Sequence, residues 1–157
     1  MELSLSKLQS LDFILKSFEI EYGITYKLVF RFGNDIVSAD FLSIFENKNN
    51  EKVVGEHKTK SREPEFREIT EKHVEVVKNN KIQSFININA FADIDQELAS
   101  KNSGRLYQAL IKHIDEFNFN YFESNFVYNV YSLTNDWTLP CLELNIEDIE
   151  LLSVVRV

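Results

Sequence analysis

With four glycines and two prolines in 157 residues, this chain has little of the material from which linkers, low-complexity tails and loop-dominated folds are made. Its single cysteine, Cys141, cannot form an internal disulfide, so stability has to come from packing, and a reducing, cytoplasmic compartment is expected. No run approaches the ~20 apolar residues of a membrane-crossing helix. The opening MELSLSKLQSLDF puts an acid at position 2 and interrupts its apolar pattern, which is unlike the basic and then continuously apolar start of a secretory leader. GxSxG, Walker and GxGxxG sequences are also missing. The glycines at 23, 33, 55 and 104 stand too far apart to build a phosphate cradle.

Aromatic rings and acid are what the chain has in quantity. Residues 117–131, FNFNYFESNFVYNVY, hold seven rings in fifteen positions. Each ring can bury ~150–250 Å², so a chain of this length has ample core material for a single domain spanning 1–157. Net charge is −8, and it is lopsided. Residues 1–60 carry eight Lys/Arg against nine Asp/Glu, residues 61–82 carry five of each, and residues 83–157 carry four against eleven. A negative surface repels phosphate backbones and anionic lipid and draws in basic partners, so neither nucleic acid nor a membrane is expected as a partner.

Periodicity predicts an α+β fold, mainly antiparallel sheet with two principal amphipathic helices packed on it. From Phe18 to Phe32 the even positions are apolar, the period of a strand with one buried face, and Gly23 is read as a bulge or turn within that run. LSKLQSLDFILKS before it is open between helix, through Leu8, Leu11 and Leu15, and strand. Gly33-Asn34-Asp35 supplies a turn, IVSADFLSIF another strand, and residues 47–51 a polar hairpin connection before KVVGEHKTK. One helix is predicted in REPEFREITEKHVEVVKNN, where Phe66, Ile69, His73, Val76 and Val77 share a stripe. The second is predicted in RLYQALIKHIDEF, with Ser103 as its N-cap. KIQSFININAFADI between them alternates as a strand. In the aromatic stretch Phe126, Tyr128 and Val130 are read as one face and Val127, Asn129 and Tyr131 as the wet one. Pro140 marks a break, and a change of apolar parity near Glu147-Asp148 marks a turn or bulge in CLELNIEDIELLSVVRV.

The chemistry-bearing residues are sparse. His73 and His113 lie on apolar stripes without HxxxH or HExxH spacing, and Cys141 has no catalytic context, so each reads as structural. Asp93, Asp95 and Glu97 alternate but lack a calcium loop's glycine and terminal glutamate. Glu56-x-Lys58 at the end of a predicted strand, with Asp40 on the strand before, resembles the acidic-x-lysine half of the PD-(D/E)xK nucleases. That resemblance implies two carboxylates, Asp40 and Glu56, on a divalent cation and Lys58 activating water. It covers under a fifth of the chain, no proline precedes Asp40, and Glu46-Asn47-Lys48 fits the same pattern.

The reading that joins these observations is a non-catalytic, acidic protein-binding module. Glu143, Glu147, Asp148 and Glu150 with Asp136 form its charged rim, and Tyr128, Tyr131 and Trp137 its aromatic anchors. Its concrete version is a bacterial immunity or antitoxin protein, acting as monomer or homodimer, that neutralises a basic toxin or nuclease by direct binding. No catalytic residue, metal or other cofactor is assigned. The alternatives are the nuclease and an assembly protein that self-associates through sheet edges.

Overall fold

The computed structural model describes residues 3–46, 48–56, 73–74, 103–114 and 126–157. Their architecture is α+β. Helix α1 (Leu5–Tyr22) is followed by strands β1 (Tyr26–Phe32), β2 (Asp35–Asp40), β3 (Leu42–Glu46), β4 (Lys52–Glu56) and β5 (His73–Val74). Helix α2 (Ser103–Lys112) precedes β6 (Phe126–Ser132), β7 (Thr138–Glu143) and β8 (Ile149–Arg156). One sheet has the order β7-β6-β2-β1-β8 and a second the order β3-β4-β5, with every described pairing antiparallel.

Helix α1 corrects the strand expected from Phe18. The stripe of Leu8, Leu11 and Leu15 continues at the same spacing through Phe18 to Tyr22, whose rings meet tilted by 52° with centres 5.9 Å apart, as side chains four apart on a helix do. The even positions of 18–22 only imitate a strand. Ser4 caps the start, its hydroxyl accepting from the Lys7 N–H at 3.2 Å. Gly23 ends it with φ +69° and its N–H donates to the Glu19 carbonyl, so the glycine is a left-handed helix cap and not a bulge within a strand. Every residue from 8 to 18 is buried. A helix covered all round has to satisfy its polar groups internally. Ser10 and Ser17 do so by donating to the carbonyls of Ser6 and Phe13, each at 2.7 Å.

The turn expected at Gly33-Asn34-Asp35 is present but is made by Gly33 and Asn34 alone, with Asp35 already in β2 opposite Phe32 and Gly33 at φ +60°, where glycine carries no penalty. The β3–β4 hairpin likewise brackets residues 47–51, with Glu46 opposite Lys52. IVSADFLSIF is two strands: the chain leaves the first sheet at Phe41 and enters the second at Leu42. Of the helix predicted over 62–80 only His73 and Val74 are described, and they pair with Gly55 and Val54 as a strand, a state that suits the β-branched Val74. The strand predicted in KIQSFININAFADI lies outside the described residues. Ser103 is the first residue of α2, whose Leu106 and Leu110 enter the core and whose Tyr107 hydroxyl donates to the Leu151 carbonyl at 3.4 Å.

Three details of the first sheet shape its surface. Asn129 has φ +51°, and the β2–β6 register slips there, from Ser38↔Tyr131 to Asp40↔Tyr128. This bulge resets the alternation, so Val127, Tyr128 and Val130 are all buried and Asn129 is exposed. Pro140 does not break the chain but sits inside β7, the outer strand of this sheet among the described residues, where its missing N–H is tolerated. The parity change at 147–148 is a 3-10 turn, Ile146–Asp148.

That turn also reports on curvature. β7 and β8 stand at opposite edges, and Glu143 and Ile149 at opposite ends of their strands. In a flat sheet they would lie about 19 Å apart sideways and about 20 Å along the strands, yet six residue steps reach only about 20 Å. The sheet must therefore twist and coil until its diagonal corners approach. Phe32 of β1 and Glu143 of β7 indeed line one cleft.

Candidate functional site

Charge in the described residues separates into two places. The first is inside, where α1 meets the crossing from β2 to β3. Asp12 is fully buried, and its Oδ2 accepts the backbone N–H groups of Phe41 and Leu42 at 2.8 and 2.7 Å, pinning the two residues at which the chain changes sheets. Its Oδ1 lies 3.3 Å from Lys16 Nζ one turn later. Lys16 also donates to Asp40 Oδ1 at 2.7 Å. Asp40 Oδ2 accepts from Lys27 Nζ at 3.2 Å and from Asn129 Nδ2 at 3.0 Å, and the Lys27 ammonium lies 5.7 Å from the centre of the Tyr131 ring. Helix, first strand, sheet crossing and β6 bulge are thus held by one ionic network.

The two carboxylates shift oppositely. Burial raises the pKa of Asp12, and this desolvation outweighs Lys16 and the two backbone donors; the nearby Asp40 charge adds to the rise. Burial acts on Asp40 in the same direction, but it is overcome by Lys16, Asn129 and Lys27, so its pKa is lowered. Burial alone would depress Lys16, yet Asp12 and Asp40 together raise it, and the ammonium stays charged. Because both Asp40 oxygens are engaged in these contacts, the carboxylate is an internal hub. Glu56, its partner in the nuclease-like pattern, pairs by backbone with Leu42, and Lys58 lies outside the described residues. Among the described residues no three histidine, cysteine or acidic side chains gather as a metal site.

The second place is outside, along the β7–β8 connection. Glu143, Glu147, Asp148 and Glu150 are all exposed, as is Asp136 in the β6–β7 turn. Glu143 and Asp148 share a cleft of about 400 Å³ with Phe32, Leu144 and Asn145, and Glu150 faces Arg31 at 3.7 Å with both side chains more than half exposed. From 126 to 157 there are five acids and one base, Arg156.

The expected aromatic anchors do not all accompany this rim. Tyr128 is 2 % exposed, so it belongs to the core, on the face that its alternation with Phe126 and Val130 gives it, and cannot serve as a surface anchor. Trp137 is half-buried, and its indole N–H donates to Asp35 Oδ2 at 3.1 Å. Thr134, Asn135 and Ser132 donate to the other Asp35 oxygen. These donors, Asn135 foremost, lower the pKa of Asp35, and the indole acts as part of a turn clamp. Tyr131 is half-buried beside Lys27. Two of the four exposed large hydrophobic side chains among the described residues, Leu133 and Leu139, lie instead at either end of the β6–β7 turn, the others being Tyr22 and Val157. Cys141 is buried and its thiol is pushed up to about 11 by burial, which makes it a poor nucleophile.

No family model, curated protein or solved structure matches this chain. No described helix is long and apolar enough to cross a membrane.

Proposed function

We propose that this protein is a non-catalytic, acidic binding module that captures a basic protein through the β7–β8 connection, and that in its concrete form it is a cytoplasmic immunity or antitoxin protein neutralising a basic toxin or nuclease. The observation that carries this reading is the exposure of Glu143, Glu147, Asp148 and Glu150 on a segment with almost no compensating base. Charges so placed speed encounter with a cationic partner and set its orientation. A cleft with carboxylates at its rim and Phe32 and Leu144 among its lining residues suits a lysine or arginine, whose apolar stem packs while its head pairs. Leu139 and Leu133 supply apolar contact at the neighbouring turn.

The test is capture of the basic protein encoded beside this chain's gene, followed by stopped flow at low and high salt. Glu143→Lys with Glu147→Lys should slow association at low salt by about tenfold or more and flatten its salt dependence. An unchanged on-rate would remove the acidic surface from the reading. Metal-dependent cleavage of nucleic acid that is lost in Glu56→Ala would replace the module with a nuclease.

A further inference from the structure

A different part of the molecule carries a second site. Between the C-terminal half of α1, the start of β1 and the strand β3 lies a cleft of about 310 Å³, lined by Lys16 and Asp40 of the charge network and not by Asp12. Its walls are unusual in what they leave unused. An ammonium has three donors. Lys16 gives two of them to Asp12 and Asp40, and Lys27 gives one to Asp40. Each ammonium therefore has a donor beyond these bonds, although Lys16 is 4 % and Asp40 7 % exposed. Glu19, Thr25 and Ser43 line the same cleft, and the Glu19 carboxylate and the two hydroxyls bond to no other described residue. Leu42 and Ile44 complete the lining.

Such a lining carries both signs of charge. Lys16 and Lys27 have N–H donors to spare within a partly buried ionic frame, which suits a carboxylate. The Glu19 carboxylate, without a bonded partner among the described residues, suits an ammonium. A simple anion would meet Glu19 and Asp40, and a simple cation would meet the two lysines. A ligand carrying both charges close together is matched by both, and the volume admits a molecule of amino-acid size. We propose that this cleft binds a free α-amino acid as its zwitterion, the carboxylate on Lys16 and Lys27 and the ammonium on Glu19. The site is independent of the acidic surface at the β7–β8 connection.

Titration of the folded protein by two-dimensional NMR tests this, with alanine and larger L-amino acids compared against propionate, ethylamine and glycylglycine. At least one amino acid should saturate the amide signals of Lys16, Glu19, Thr25, Lys27 and Ser43 with a dissociation constant near or below about 1 mM. Propionate and ethylamine should each bind at least about tenfold more weakly than alanine. Glu19→Gln changes a side chain without a bonded partner among the described residues and should weaken the amino acid about tenfold while leaving propionate unchanged. Lys27→Gln should weaken both. Propionate binding as tightly as alanine would overturn the proposal in favour of a plain anion site, and glycylglycine binding more tightly than every free amino acid would overturn it in favour of a peptide end. Absence of saturable shifts for all amino acids would overturn it outright.

Discussion

The two concentrations of charge differ in every respect that determines what a charge does. Around Asp12, Lys16, Asp40 and Lys27 the groups are buried, of both signs and within hydrogen-bonding distance, so their effect is on which fold forms. Along Glu143, Glu147, Asp148 and Glu150 the groups are exposed and of one sign, so they leave the fold nearly untouched and act on what approaches it. Buried ions repay desolvation only when each has its partner, whereas exposed ions are screened within about 8 to 10 Å at ordinary salt. Removal of single charges should therefore separate the two regions cleanly.

The largest effect is expected at Lys16. Lys16→Met leaves Asp12 and Asp40 facing each other with less compensation and should cost about 3–5 kcal/mol in urea unfolding. A triple replacement of Asp12, Lys16 and Asp40 by apolar residues of similar volume should recover only part of that loss, because the three buried ions go together but Lys27 loses its carboxylate and the Phe41 and Leu42 N–H groups their acceptor. If Lys16→Met were neutral, the network would have no hold on the fold.

Acid should act on this region through Asp40. A carboxylate whose folded pKa lies below its ordinary value contributes stability above that ordinary value and loses it as pH falls through the folded one. Stability should thus decline below about pH 4, and Asp40→Asn, itself destabilising, should decline less steeply there. Asp12 has the opposite sign. Its raised pKa means that the folded protein holds the proton more tightly, so Asp12 costs stability as pH climbs above the ordinary carboxylate value and partly masks the Asp40 effect. Unfolding curves of Asp12→Asn should accordingly show a steeper loss on acidification than the parent.

How much of this contrast could be read from the sequence depends on whether the signal was local. Gly33-Asn34 is a local device, and the hairpin it predicts is present. The acids of 143–150 sit in a segment with one base, and their exposure follows from the cost of burying unpaired charge. The inner network was not legible, since Asp12, Asp40 and Asn129 meet across separations of up to 89 residues and nothing in their spacing reports it. One clue was available: Asp12 and Lys16 stand four residues apart among Leu11, Phe13, Ile14, Leu15 and Phe18, the spacing of a paired charge. Val127 failed for a related reason. Alternation assigns sheet faces only where the register is unbroken, and a bulge at an asparagine, with no glycine to announce it, buried a residue expected on the wet face. The burial of Tyr128 was legible, since alternation sets it with Phe126 and Val130 opposite that wet face. Phe18 to Tyr22 failed because five residues fit both periods; the capping role of Gly23 would have decided between them.

Between the two regions in size of effect lies the backbone itself. Gly23→Ala places a side chain at φ +69° with nothing within 4 Å of the new Cβ, so the cost is conformational alone. It should be about 1 kcal/mol, visible in thermal unfolding as a few degrees. A cost several times larger would mean that space as well as torsion matters at that cap.

The smallest effect belongs to the outer region and sharpens the comparison most. Arg31 and Glu150 form an ion pair at 3.7 Å, with side chains 56 % and 66 % exposed. It has the signs of the Lys16–Asp40 pair without its burial. Glu150→Gln should change stability by less than about 0.5 kcal/mol, and 0.5 M salt should erase what difference there is, while the loss in Lys16→Met persists at that salt. If instead the outer pair matched the inner one, burial could not be what divides structural charge from docking charge in this molecule, and the acidic rim would have to be counted as part of what holds β8 in place.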